Sequence, residues 1–169
     1  RTTGLVVGYV QSGKTMSFST VLALAADNGF KLAIVFAGVT NQLLDQTRNR
    51  LSDELVGENW WNITVKDDPG DLSSFGSGGD SPMVIIPVLK SAQRINELRI
   101  SLNGLLFELA LPVLIIDDEA DQASFNTLAF KNTKEGTDDN SATFDAISKL
   151  RESIGKHIYL QYTATPQAP

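Results

Sequence analysis

Five short runs dominated by β-branched and other apolar residues punctuate the chain: Leu5-Val6-Val7, Lys31 to Ala37, Met83 to Val88, Val113 to Ile116 and Ile158 to Tyr162. They are almost continuously apolar where a half-exposed strand would alternate, so they read as strands buried on both faces. Longer amphipathic stretches separate them. Phe18, Val21, Leu22 and Ala25 recur at helical spacing, as do Ala92, Ile95, Leu102, Leu105, Leu106 and Leu109, and then Phe144, Ile147, Leu150 and Ile154. Strand runs alternating with helical runs imply βα units, and hence an α/β three-layer fold with a mostly parallel sheet flanked by helices. A weaker strand is expected from Asn62 to Lys66. Asn28-Gly29 suits a left-handed cap at the end of the first helix, and Pro112 stops the long helix before the next strand.

A length of 169 residues implies a single domain over 1–169. With no Cys and His157 as the lone histidine, disulfides, thiolate catalysis and His-cluster metal sites are excluded, so a metal would need oxygen ligands. Fourteen basic against 20 acidic residues give a formal charge of −6, which leaves nucleic-acid binding to local contacts. No apolar run approaches the roughly 20 residues of a membrane span, and Arg1-Thr2-Thr3-Gly4 carries no signal-peptide pattern. The expectation is a cytoplasmic protein with no membrane partner.

Gly8-Tyr9-Val10-Gln11-Ser12-Gly13-Lys14-Thr15 fits G-x-x-x-x-G-K-[ST] and stands directly after a strand run and before an amphipathic helix. At average glycine usage a chance match in a chain this long is roughly one in a hundred, before that context is demanded. The motif predicts nucleotide binding. Gly8, Gln11, Ser12 and Gly13 would form an anion-binding nest of backbone N–H groups, helped by the helix N-terminus. Lys14 would neutralise the β- and γ-phosphates, and Thr15 would offer its hydroxyl to a phosphate-bound magnesium ion.

Val113-Leu114-Ile115-Ile116 runs into Asp117-Asp118-Glu119-Ala120-Asp121. In an open parallel sheet the carboxyl ends of strands share one edge, so this acidic cluster falls beside the phosphate loop. A carboxylate there can hold magnesium, and a neighbour can orient or deprotonate water.

The order of phosphate loop, Asp118-Glu119-Ala120-Asp121 and Thr163-Ala164-Thr165 resembles the first RecA-like lobe of superfamily 2 helicases and translocases. More narrowly, GYVQSGKT, DDEADQAS and YTATP are similar to the helicase-like Z-one domain of an endonuclease group in bacterial restriction and defence. The resemblance runs from about Gly4 to Pro166. It implies a three-layer, RecA-like P-loop NTPase and an ATP hydrolase with ATP and magnesium as cofactors. Lys14 and Thr15 would bind phosphate and magnesium, Asp118 would hold magnesium through water, and Glu119 would activate the hydrolytic water. Asp121, Thr163 and Thr165 would couple hydrolysis to lobe movement. Thr40, Asn41 and Lys90 fall where such lobes meet the nucleic-acid backbone, and Thr40 equally suits a helix N-cap. The partners implied are nucleic acid, DNA before RNA, and a second RecA-like lobe in the full-length chain that supplies arginines across the cleft. An ATP-gated switch or assembly module on the same fold is the alternative. His157 reads as a packed or surface residue.

Overall fold

The computed structural model describes residues 1–8, 14–56, 62–66, 81–103, 112–120 and 142–164. In chain order the elements are β1 (Thr2–Val7), α1 (Lys14–Asp27), β2 (Leu32–Ala37), α2 (Asn41–Leu55), β3 (Ile63–Val65), β4 (Met83–Val88), α3 (Ala92–Leu102), β5 (Val113–Asp118), α4 (Ala142–Ser153) and β6 (His157–Thr163). The strands form one six-stranded sheet in the order β1-β6-β5-β2-β4-β3, with every neighbouring pair parallel. All six expected strands are present. His157 joins β6 opposite Val113, and β5 extends through Asp117 and Asp118.

The order of the strands decides which helix lies on which face. The crossovers β1 to β2 and β2 to β3 step one way along the sheet, whereas β4 to β5 and β5 to β6 step the other way. Right-handed crossovers in opposite directions place their helices on opposite faces. Accordingly Phe18 and Leu22 of α1 and Leu51 and Leu55 of α2 pack on Ala33, Val35, Ile85, Leu114, Ile116 and Tyr162. Ile95 and Leu98 of α3 and Ile147 and Leu150 of α4 cover Leu32, Ile34, Phe36, Ile86, Ile115 and Tyr159. Consecutive residues of β2 thus feed alternate cores, which is why its six residues are all buried and all apolar.

Helix ends follow local chemistry. Phe30 N–H donates to Ala25 O and Gly29 N–H to Ala26 O, with Gly29 at φ +80°, the left-handed cap expected from Asn28-Gly29. Thr40 and Ser91 cap α2 and α3 by accepting from the N–H groups of Leu43 and Arg94. One expectation is corrected. β1 is not buried on both faces as expected: it lies at the sheet edge, and Leu5 and Val7 are about half exposed, at 49% and 50%. The helix expected to run on to Leu109 is described only to Leu102, and Leu105, Leu106 and Leu109 lie outside the described residues.

Pro87 sits inside β4. Met83 N–H bonds to Asn62 O and Ile85 O accepts from Lys66 N–H, so by alternation the nitrogen of Pro87 also faces the β3 side. The β3 register ends at Val65 opposite Ile85, so Pro87 falls just past the last paired residues, where a missing donor is best tolerated.

Candidate functional site at the carboxyl edge of the sheet

Because the sheet is parallel, β1, β6, β5, β2 and β4 all end at one edge, and backbone bonds tie those ends together. Gly8 N–H donates to Thr163 O at 3.0 Å, Ala120 N–H to Tyr162 O at 2.8 Å and Lys90 N–H to Gly38 O at 2.8 Å. Gly8 and Thr163 are thereby neighbours, and the acidic turn after β5 lies against the end of β6. Lys14 and Thr15 are the first two residues of α1, so the motif spans strand end to helix start as its chemistry requires. Gln11, Ser12, Gly13, Asp121 and Thr165 lie outside the described residues.

The two acids of β5 face opposite ways. Leu114 and Ile116 belong to the core beneath α1, so Asp118, two residues on, lies on the α1 face. Val113 and Ile115 belong to the core beneath α3 and α4, which puts Asp117 on that side, with no exposed surface. Asp117 Oδ2 accepts a hydrogen bond of 2.5 Å from Tyr159 Oη. Burial, reinforced by the Asp117 charge, raises the Tyr159 phenol far above its ordinary pKa and keeps it a donor. Asp117 Oδ1 has no hydrogen bond of good geometry and is compensated by the ammonium of Lys90, 2.7 Å away. Losing one member of a fully buried pair costs about 3–5 kcal/mol, because the other charge is left without a partner.

Glu119 follows in a conformation that side chains seldom adopt, with φ at +53°. Such a residue costs on the order of 1–3 kcal/mol and collects at functional sites. Its N–H donates to Asp118 Oδ1 at 3.0 Å, and Lys90 Nζ donates to Asp118 O at 2.6 Å and Glu119 O at 2.8 Å. Glu119 Oε2 is buried and has no hydrogen-bond partner among the described residues. An unsatisfied carboxylate oxygen at a strand end is free to accept from water or from a metal-bound ligand.

The described residues hold no cluster of three or more His, Asp or Glu that could cage a cation. Magnesium that arrives with phosphates needs none, since it is commonly held by one or two carboxylates, a hydroxyl and the phosphates themselves. Asp118, on the α1 face at the end of β5, is a carboxylate of this kind.

One expected contact is overturned. Lys90 was expected to touch nucleic-acid phosphates, but its side chain has no exposed surface and is committed to Asp117 and two carbonyls. Thr40 and Asn41 are exposed on the same edge, and Thr40 Oγ1 caps α2 at 3.3 Å from Leu43 N. Thr163 is buried at the end of β6, opposite Val7. Residue patterns missed the trio Lys90, Asp117 and Tyr159. The signal available was a pair of opposite charges at the ends of two runs that the fold makes near neighbours.

Comparison with protein-family models and with curated proteins finds no match. Among solved structures, the chain is similar along its whole length to a DEAD box protein from the hyperthermophile Methanococcus jannaschii, at 20% identity and a TM-score of 0.52. It is also similar, at 18% identity and a TM-score of 0.55, to a nuclease-deletion mutant of the Type ISP restriction-modification enzyme LlaGI in complex with a DNA substrate mimic. The chain covers 40% of the first protein and 16% of the second. The likeness is one of architecture, and it shows that this chain has the RecA-like α/β fold of helicase lobes.

Proposed function

We propose that the chain is the ATP-binding lobe of a nucleic-acid-dependent ATPase, a helicase-like translocating motor of bacterial restriction or defence. The observation that carries this reading is the left-handed Glu119 beside Asp118, at the strand edge where the phosphate-loop motif passes from β1 into α1. Backbone N–H groups of residues 8–15 would cradle the phosphates, with Lys14 on the β- and γ-phosphates. Thr15, and Asp118 through water, would hold a nucleotide-bound magnesium ion, which would neutralise phosphate charge. Glu119 would accept a proton from the water that attacks the γ-phosphorus, as the bond to the ADP oxygen breaks. Asp121, Thr163 and Thr165 would transmit the change to a second RecA-like lobe, whose arginines complete the cleft. Thr40 and Asn41 would meet the nucleic-acid backbone, in DNA before RNA.

The test is hydrolysis of magnesium-ATP by the full-length protein with and without DNA or RNA. The reading expects stimulation by nucleic acid and its loss with Lys14→Ala. Hydrolysis that no nucleic acid alters would remove the motor and leave an ATP-gated switch on the same fold.

A further inference from the structure

A left-handed glutamate needs something to hold it, because the conformation disfavours any side chain with a Cβ. The holder comes from 29 residues upstream. Lys90, at the turn between β4 and α3, donates to Asp118 O at 2.6 Å and Glu119 O at 2.8 Å, the carbonyls of the peptide units on either side of the Glu119 Cα. Its third direction is filled by Asp117 Oδ1 at 2.7 Å, and Tyr159 Oη fixes the other oxygen of that carboxylate. An ammonium has three donors and no acceptor, and here two are spent on the turn while its charge lies against the acid beneath it. The Lys90 backbone is itself anchored to Gly38 O, so the ammonium is fixed at both ends of its chain.

We infer that Lys90 is a positioning residue for ATP hydrolysis: it clamps the carbonyls of Asp118 and Glu119, holds the Glu119 backbone left-handed and so aims the Glu119 carboxylate at the water. The inference rests on the proposed role of Glu119, and its structural half stands apart from that role. Asp117 and Tyr159 serve by keeping the ammonium oriented. A pair that only stabilised the core would leave Glu119 indifferent to its removal.

The test removes the charges together, since Lys90→Met alone strands Asp117. In the Lys90→Met/Asp117→Leu protein, hydrogen exchange of the Ala120 amide should quicken by about tenfold or more, while the Ile115 amide is unchanged. In the full-length ATPase, kcat should fall by about tenfold or more with the Kd for magnesium-ATP within about threefold of wild type. Ala120 exchange at the wild-type rate, or an unchanged kcat in the folded double variant, overturns the inference. If that variant does not fold, the unmodified protein decides: NMR couplings across hydrogen bonds from the Lys90 ammonium to the carbonyl carbons of Asp118 and Glu119 support the clamp, and their absence overturns it. A wild-type protein that hydrolyses no ATP would defeat the proposed function, and the exchange and coupling data would still report on the clamp.

Discussion

A carboxylate takes a proton through an oxygen with a free lone pair, and Glu119 Oε2 is buried with no hydrogen-bond partner among the described residues. Asp117, two positions earlier, has both oxygens engaged by Tyr159 and Lys90. The left-handed turn at Glu119 separates the two carboxylates, which strict strand alternation would put on one face. In the full-length protein Glu119→Gln should leave magnesium-ATP binding intact while lowering kcat by about 10²–10⁴-fold, read by steady-state hydrolysis and by titration of the nucleotide. Gly38 carries a separate prediction. It sits at φ +70°, and a Cβ there would come within 2.7 Å of Leu43 Cδ1. Gly38→Ala should therefore cost about 1–3 kcal/mol in urea unfolding; an unchanged midpoint would contradict the strain. At this scale the sequence made the phosphate motif and Asp118-Glu119 legible, because each is a local string. It hid the clamp, because Lys90 and Asp117 are made neighbours only by the pairing of β2 with both β4 and β5.

Strands were readable because burial on both faces writes itself as unbroken apolar runs, and the helices because Phe18, Leu22, Ile95, Ile147 and Leu150 keep helical spacing. The edge position of β1 was not readable, since Leu5-Val6-Val7 looks like any interior strand and only the sheet order reveals its open side. Thr40 shows both readings of one residue: it caps α2, and it is exposed at the site edge. Thr40→Ala should lose about 1 kcal/mol of stability through the cap. His157 opens β6, buried, with Nδ1 bonded to Ile154 O just past α4. Burial lowers its pKa below the ordinary histidine value, so the unfolded chain takes up the proton first as pH falls. Its contribution to stability is complete above about pH 6.5 and is lost as pH falls from there toward the lowered folded value. Wild type should lose more stability than His157→Gln between about pH 7.5 and 5.5, measured by urea unfolding at both; equal losses would place the pH dependence elsewhere.

For the molecule as a whole, two apolar cores on either side of one parallel sheet leave its carboxyl edge as the place where ends from β1, β6, β5, β2 and β4 converge. Net charge is no obstacle to a nucleotide machine, since part of the acid excess is the run Asp117 to Asp121. In the proposed function this edge binds magnesium-ATP through the loop that ends in Lys14. The most direct test is calorimetric titration of the 169-residue protein with ATP and magnesium. The expected result is binding that Glu119→Gln retains and that Lys14→Ala weakens by about tenfold to a hundredfold, the worth of a charge-assisted contact. Binding that Lys14→Ala leaves unchanged, or no binding to the folded wild-type chain, would contradict it.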